Sequence, residues 1–218
     1  MSPINYKRFP LGSLLTNGYL FWDDSNDAFF VDPGGESHEV FDYLQQYHLT
    51  LKAVLLTHGH LDHIAGIEEF IPFVGNEIYI ASEDALLLVR PPEEFQIALG
   101  MKCNGIRDSK TIKNGDVLSI GFSKIEAIAT SGHTPGSMCY LVTQGSEQLL
   151  ISGDTLFALS VGRTDLPGGD MELLEASLRK LALLPDDLRV FPGHGPNTTI
   201  GTERKNNPYW PESISDCR

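Results

Sequence analysis

Three imidazoles and a carboxylate crowd into six consecutive residues, His58-Gly59-His60-Leu61-Asp62-His63. A structural turn has no use for three imidazoles so close together, because their mutual repulsion on protonation would destabilise it. Neutral imidazole is the commonest metal ligand, and a carboxylate completes a site for a borderline or hard divalent ion. The cluster follows Ala53-Val54-Leu55-Leu56, a short apolar run of the kind found in fully buried strands.

Three more strand-like runs end the same way. Ile125 to Ala129 leads into Thr130-Ser131-Gly132-His133. Leu149 to Ile151 leads into Ser152-Gly153-Asp154-Thr155, and Val190-Phe191 leads into Pro192-Gly193-His194-Gly195. Ligands in open α/β folds gather where strands end, so four such ends can bring these side chains together. Five of the seven histidines lie in these clusters; His38 and His48 instead flank a predicted surface helix. Glycine beside the ligands lets the backbone turn sharply and approach closely.

The rest of the chain reads as alternating strands and helices. Strands are predicted at 19–22, 28–31, 53–56, 77–81, 117–120, 124–129, 137–142, 148–152 and 189–191. Helices are predicted at 37–47 and 64–70, the second closed by Pro72. Others are expected at 83–89 with Ser82 as N-cap, at 93–101, and at 171–184, where Leu173, Leu174, Leu178, Leu181 and Leu184 share a face. Residues 103–116 are the least readable, and the tail from Asn206 reads as irregular. Two successive sets of strands and helices suggest two packed sheets with helices outside. The 218 residues suit one compact α/β domain over 1–218.

Composition narrows the partners. Sixteen basic against 29 acidic residues give a net charge of −13, which repels phosphate backbones and anionic lipid. No nucleic acid or membrane partner is therefore expected. Cys103, Cys139 and Cys217 form no CxxC pair and fit a reducing cytosol. The N-terminus lacks the apolar core of a signal peptide, so the expected location is cytoplasmic.

His58-Gly-His60-Leu-Asp62-His63, followed by His133, Asp154 and His194, resembles the motif series of the metallo-β-lactamase superfamily. The resemblance extends from the Val31-Asp32-Pro33-Gly34 turn to His194. It implies a four-layer αββα sandwich with the site on one edge. Within the superfamily, Ser152-Gly-Asp-Thr-Leu-Phe157, Pro192-Gly-His-Gly195 and Gly162-Arg-Thr-Asp-Leu-Pro-Gly-Gly-Asp170 look most like glyoxalase II and its short relatives. The resemblance implies a first metal on His58, His60 and His133, and a second on Asp62, His63 and His194, with Asp154 bridging both. Asp62 and Asp154 are then the catalytic carboxylates. The cofactors implied are two divalent ions, zinc foremost, with iron or manganese also admitted by nitrogen and oxygen ligands.

The implied activity is hydrolysis of a small thioester such as S-D-lactoylglutathione. Arg163 stands where the family places a basic residue for the glutathione carboxylate, and its planar fork suits one; pairing with Asp165 is its other reading. Two features depart from full-length glyoxalase II. A short tail replaces the helical C-terminal domain after His194, and Pro196 stands where the family has tyrosine. Alternative chemistries of the same motif series are hydrolysis of another ester, thioester or lactone, and mononuclear-iron persulfide oxidation. Asp32 reads as a turn residue or a support for the ligands. Phe157 and Leu166 are candidates for the pocket wall or for packing.

Overall fold

The computed structural model describes residues 4–211; Met1 to Pro3, Cys217 and the rest of the tail from 212 onward lie outside them. Two six-stranded sheets are built from successive halves of the chain. The first contains β1 (Asn5–Leu11), β2 (Thr16–Trp22), β3 (Asp27–Val31), β4 (Thr50–Leu55), β5 (Ile78–Ile80) and β6 (Lys110–Thr111), in that spatial order. The second half forms β7 (Val117–Ile120), β8 (Ser123–Ala129), β9 (Met138–Gln144), β10 (Glu147–Gly153), the hairpin strands β11 (Leu156–Phe157) and β12 (Ser160–Val161), β13 (Arg189–Pro192) and β14 (Thr198–Thr199). In the second sheet the order is β14-β13-β10-β9-β8-β7.

Alternation along the strands assigns each residue to one of three apolar layers. Tyr19, Phe21, Phe29, Val31, Ala53 and Leu55 face the opposite sheet, where they meet Ile125, Ala127, Tyr140, Val142, Ile151 and Phe191. Their neighbours Leu20, Ala28, Phe30 and Val54 face outward. Helix α1 (His38–Gln46) covers them with Val40 and Leu44, and a 3-10 turn, Ile67–Phe70, adds Ile67 and Phe70. On the far side, Cys139, Leu150 and Val190 pack under α6 (Met171–Leu181) and α7 (Ile200–Asn206). Both faces of each sheet are covered, which makes four layers, αββα. It also explains why the central strands read as unbroken apolar runs.

Local differences from the sequence reading have identifiable causes. The stretch predicted as one helix, 64–70, is three short pieces: α2 (Leu61–Ile64), the 3-10 turn, and α3 (Ile71–Val74). Pro72 opens α3 rather than closing a helix, since first-turn N–H groups have no intrahelical acceptor to lose. α4 spans Ala85–Val89 with Asp84, not Ser82, at its N-cap, and the Ser82 hydroxyl binds Glu83 instead. α5 spans Glu93–Leu99. In α6 the buried stripe is Leu174, Leu178 and Leu181, while Leu173 is exposed at its edge. β1 escaped the reading because it is a mostly exposed edge strand without an apolar run. α7 escaped because its sequence, IGTERKN, is largely polar; Thr199 caps it by accepting from the Thr202 N–H.

The parallel pairs β3·β4 and β10·β13 place four chain exits along one edge of the sandwich. Hydrogen bonds from Met138 N to Thr57 O (2.8 Å), Tyr140 Oη to Leu56 O (2.7 Å) and Asn17 N to Gly193 O (2.7 Å) stitch the halves together there. Among the described residues no helix is long and apolar enough to cross a membrane.

Candidate metal centre

The four clusters converge at that edge. His58, His60 and His133 form one group whose ligating atoms lie within 4.8 Å of one another; Asp62, His63 and His194 form a second. His58 and Asp154 stand between them, as His58, His63 and Asp154 also satisfy the same spacing. In the first group, His60 Nδ1 is 3.1 Å from His58 Nε2 and 2.9 Å from His133 Nε2. In the second, Asp62 Oδ2 is 3.2 Å from His194 Nε2 and 3.6 Å from His63 Nε2. Asp154 spans the groups: Oδ1 lies 3.3 Å from His63 Nε2, and Oδ2 lies 3.6 Å from both His133 Nε2 and His194 Nε2.

The outward ring nitrogens of His58, His63 and His133 are anchored, that of His58 by the Thr57 hydroxyl at 3.1 Å. Asp32, at the end of β3, accepts from His63 Nδ1 (2.9 Å), Thr57 N (2.8 Å) and Thr57 Oγ1 (2.6 Å). The Arg163 carbonyl accepts from His133 Nδ1 at 2.7 Å. Protons held outward leave the inward nitrogens as lone pairs, the form that binds a cation. Asp62 Oδ2 accepts from Thr16 Oγ1 at 3.1 Å. Asn17 Nδ2 donates to Pro192 O and Gly195 O, both at 2.9 Å, and so braces the loop that carries His194.

The donor set fits divalent cations. His63 Nε2 and Asp154 Oδ1 are buried polar atoms without a hydrogen-bond partner, an arrangement that needs an explanation. At His60 Nδ1 two neighbouring ring nitrogens compete for what one proton can satisfy only once. Burial, with His63, His60 and His133 nearby, holds His58 well below its usual range, and burial with His133 and His63 holds His60 at about 4. Burial also opposes a charge on His63, yet Asp154, Asp62 and Asp32 together raise it well above the ordinary value. Burial likewise opposes ionisation of Asp62 and Asp154, but His63 and His194 keep both carboxylates below the usual range. Neutral His58 and His60 and the ionised carboxylates are the protonation states that metal binding requires, whereas His63 holds a proton that a bound cation would displace.

Sequence reasoning singled out every one of these seven residues, and the fold gathers all of them. It did not foresee Thr16, Asn17 or Asp84, isolated polar residues with no local pattern, whose partners are set by tertiary contact. It left Asp32 open; the structure gives that residue a direct hydrogen bond to His63. Arg163 contributes its carbonyl to the centre, while its exposed guanidinium forms a two-pronged pair with Asp165 (2.7 and 2.6 Å). The Phe157 ring lies 6.1 Å from that of His194 and walls the centre. Leu166 is half-buried in the loop before α6.

Gly162 shows how tightly the centre is built. A Cβ there would stand 1.9 Å from the Asp154 carbonyl oxygen and 3.2 Å from His133 Cβ. Gly162→Ala is therefore expected to push Asp154 and His133 apart. Overpacking of this kind costs about 1–3 kcal/mol, which a thermal melt would record as a drop of several degrees; an unchanged melting temperature and metal content would contradict the geometry.

Comparisons with known proteins agree with this picture. A family profile described as the metallo-beta-lactamase superfamily matches residues 11–194. Hydroxyacylglutathione hydrolase GloC of Haemophilus influenzae is 35% identical over 209 residues, covering 94% of this chain and 98% of that protein. Among solved structures, BLEG-1 B3 metallo-beta-lactamase superposes with a TM-score of 0.86 at 35% identity, covering 94% and 99% of the two chains. TTHA1623 in a di-iron-bound form gives 0.83 at 33% identity, covering 93% and 99%. With its fold and nearly its whole length matched, the chain belongs to the metallo-beta-lactamase superfamily.

Proposed function

We propose that this protein is a dinuclear metal-dependent hydrolase acting on a small thioester of the S-D-lactoylglutathione type. The observation that carries the reading is the position of Asp154, whose two oxygens face both ligand groups at once. His58, His60 and His133 would hold one ion, and Asp62, His63 and His194 the other, with Asp154 shared. Two divalent ions there would supply hydroxide at neutral pH, by lowering the pKa of water from about 15.7 to roughly 7, and polarise the carbonyl under attack.

The chain's own groups do the rest. Asp32 and the Arg163 carbonyl hold the outward protons of His63 and His133, so neither ring can turn away. Thr16 orients Asp62, and the Phe157 ring stands beside that of His194. A thiolate leaves with a pKa of about 8.5 and needs little proton assistance. A centre whose carboxylates are held ionised therefore suits a thioester better than an amide. The relative named hydroxyacylglutathione hydrolase supports the same choice. Two buried free cysteines, Cys103 and Cys139, agree with a reducing cytoplasm.

The test is a metal analysis and a thioester assay on one preparation. About two metal equivalents and hydrolysis of S-D-lactoylglutathione without oxygen uptake are expected. One iron per chain with oxygen-dependent persulfide consumption would overturn the hydrolase reading. Turnover of lactones or β-lactams with none of thioesters would replace the substrate.

Arg163 gives a second check. Its pair with Asp165 is fully exposed, so solvent weakens it and a substrate carboxylate can compete for the fork. Arg163→Ala is expected to raise KM for the glutathione thioester by roughly 3–10-fold with kcat little changed, the signature of uniform binding. An unchanged KM would assign Arg163 to loop structure alone.

A further inference from the structure

Asp84 is fully buried, yet no described cation pairs with its carboxylate. It stands at the N-cap of α4 but makes no side-chain cap bond to that helix. Its carboxylate is turned to two distant loops instead. Oδ2 accepts from Gly59 N (2.9 Å) and Thr134 Oγ1 (2.7 Å), and Oδ1 accepts from Gly136 N (2.8 Å). Gly59 lies between His58 and His60, and Thr134 follows His133. The approach is close enough to require glycine: a Cβ on Gly136 would lie 2.6 Å from Asp84 Cγ.

We infer that Asp84 is a positioning residue for metal binding, fixing the His58–His60 loop against the His133 loop before an ion arrives. This rests on the ligand assignment proposed above. A buried carboxylate is tolerated only when its lone pairs are satisfied, and here the donors come solely from the two loops that must meet. Their relative position is thereby set to the spacing at which His60 Nδ1 reaches both His58 Nε2 and His133 Nε2. The second group is braced by other residues: His63 by Asp32, Asp62 by Thr16, and the His194 loop by Asn17. Loss of Asp84 should therefore weaken one ion and spare the other. A residue that served only general stability would weaken both.

The experiment is a zinc competition titration of the metal-free protein against a chromophoric chelator. It compares wild type, Asp84→Asn, Thr134→Val and His60→Ala, with a thermal melt of each metal-free form. His60→Ala identifies the phase that belongs to the first group. Asp84→Asn keeps the shape but sets an amide donor against at least one of the three donors. It is expected to weaken that phase by about 10–100-fold, the usual loss when a ligand's supporting bond is removed, and to leave the other phase within about 2-fold. Thr134→Val removes one of the three bonds and should show a smaller loss in the same phase; if Asp84→Asn does not fold, this variant decides. Equal weakening of both phases, or no change in the first, overturns the inference. A wild type with no zinc-binding phase removes the ligand assignment and this inference with it, whereas two wild-type phases insensitive to Asp84 and Thr134 remove this inference alone.

Discussion

Replacing Asp154 by alanine is expected to lower thioester turnover by on the order of 10³-fold or more and to leave fewer than two metal equivalents per chain. Its two oxygens reach toward His63 on one side and toward His133 and His194 on the other. Oδ1 is buried without a hydrogen-bond partner, so removing the side chain breaks few bonds among protein groups. It removes instead the one carboxylate that both ligand groups share. A loss of 10³-fold corresponds to about 4 kcal/mol of transition-state stabilisation, a reasonable magnitude for a step that depends on both ions being held together. Asp154→Asn tests the same point with the shape kept, because the amide retains one oxygen and replaces the other with a donor facing ring nitrogens. Circular dichroism of the metal-free variants should match the wild type, separating loss of the centre from loss of the fold. If Asp154→Ala keeps two metals and substantial turnover, the dinuclear reading is wrong.

How much of this was legible in the chain itself depended on how local each signal was. His58 to His63 reads at once because the spacing packs four candidate ligands into six residues, and His133, Asp154 and His194 read because each ends an apolar run. The strands of the sandwich centre read for the same reason: Ala53 to Leu56 and Leu149 to Ile151 are buried on both faces. β1 and α7 did not read, because an edge strand and a polar surface helix owe their form to the neighbours they lean on. The residues that brace the ligands were the least visible. Thr16 meets Asp62 across 46 positions, and Asp84 meets Gly136 across 52. Neither pairing has a period or a motif; the first exists only once β2 and β4 share a sheet, and the second only after the two halves have packed. Pro72 misled for a different reason, since proline ends a helix from its interior but opens one from its first turn.

Asp32→Asn is the variant expected to have the next largest effect, and its outcome can be argued atom by atom. Asp32 is buried and holds a left-handed backbone, φ 54°, at the end of β3. Asparagine tolerates that conformation nearly as well as aspartate, so the substitution adds little backbone strain and changes mainly the hydrogen bonds. Three donors converge on the carboxylate: Thr57 N on Oδ1, and Thr57 Oγ1 with His63 Nδ1 on Oδ2. An amide oriented with its oxygen toward His63 sets its NH₂ against the Thr57 N–H. The opposite orientation sets the NH₂ against His63 Nδ1 and favours the tautomer with its proton on Nε2, the atom that faces Asp154. In the first case a buried donor is left unsatisfied, at a cost of about 1–3 kcal/mol; in the second the inward lone pair of His63 is lost. The second orientation leaves no donor facing a donor, since the Thr57 hydroxyl and His63 Nδ1 can both accept, so it should prevail; the group of Asp62, His63 and His194 should then bind its ion about 10–100-fold more weakly, and turnover should fall with it. Chelator competition would show the weakened phase, complementary to the one that Asp84→Asn affects. Excess zinc should restore much of the turnover of Asp32→Asn but none of that of Asp154→Ala, because the first keeps every ligand and the second has lost a shared one. Unchanged affinity for both ions in Asp32→Asn would reduce Asp32 to a turn residue.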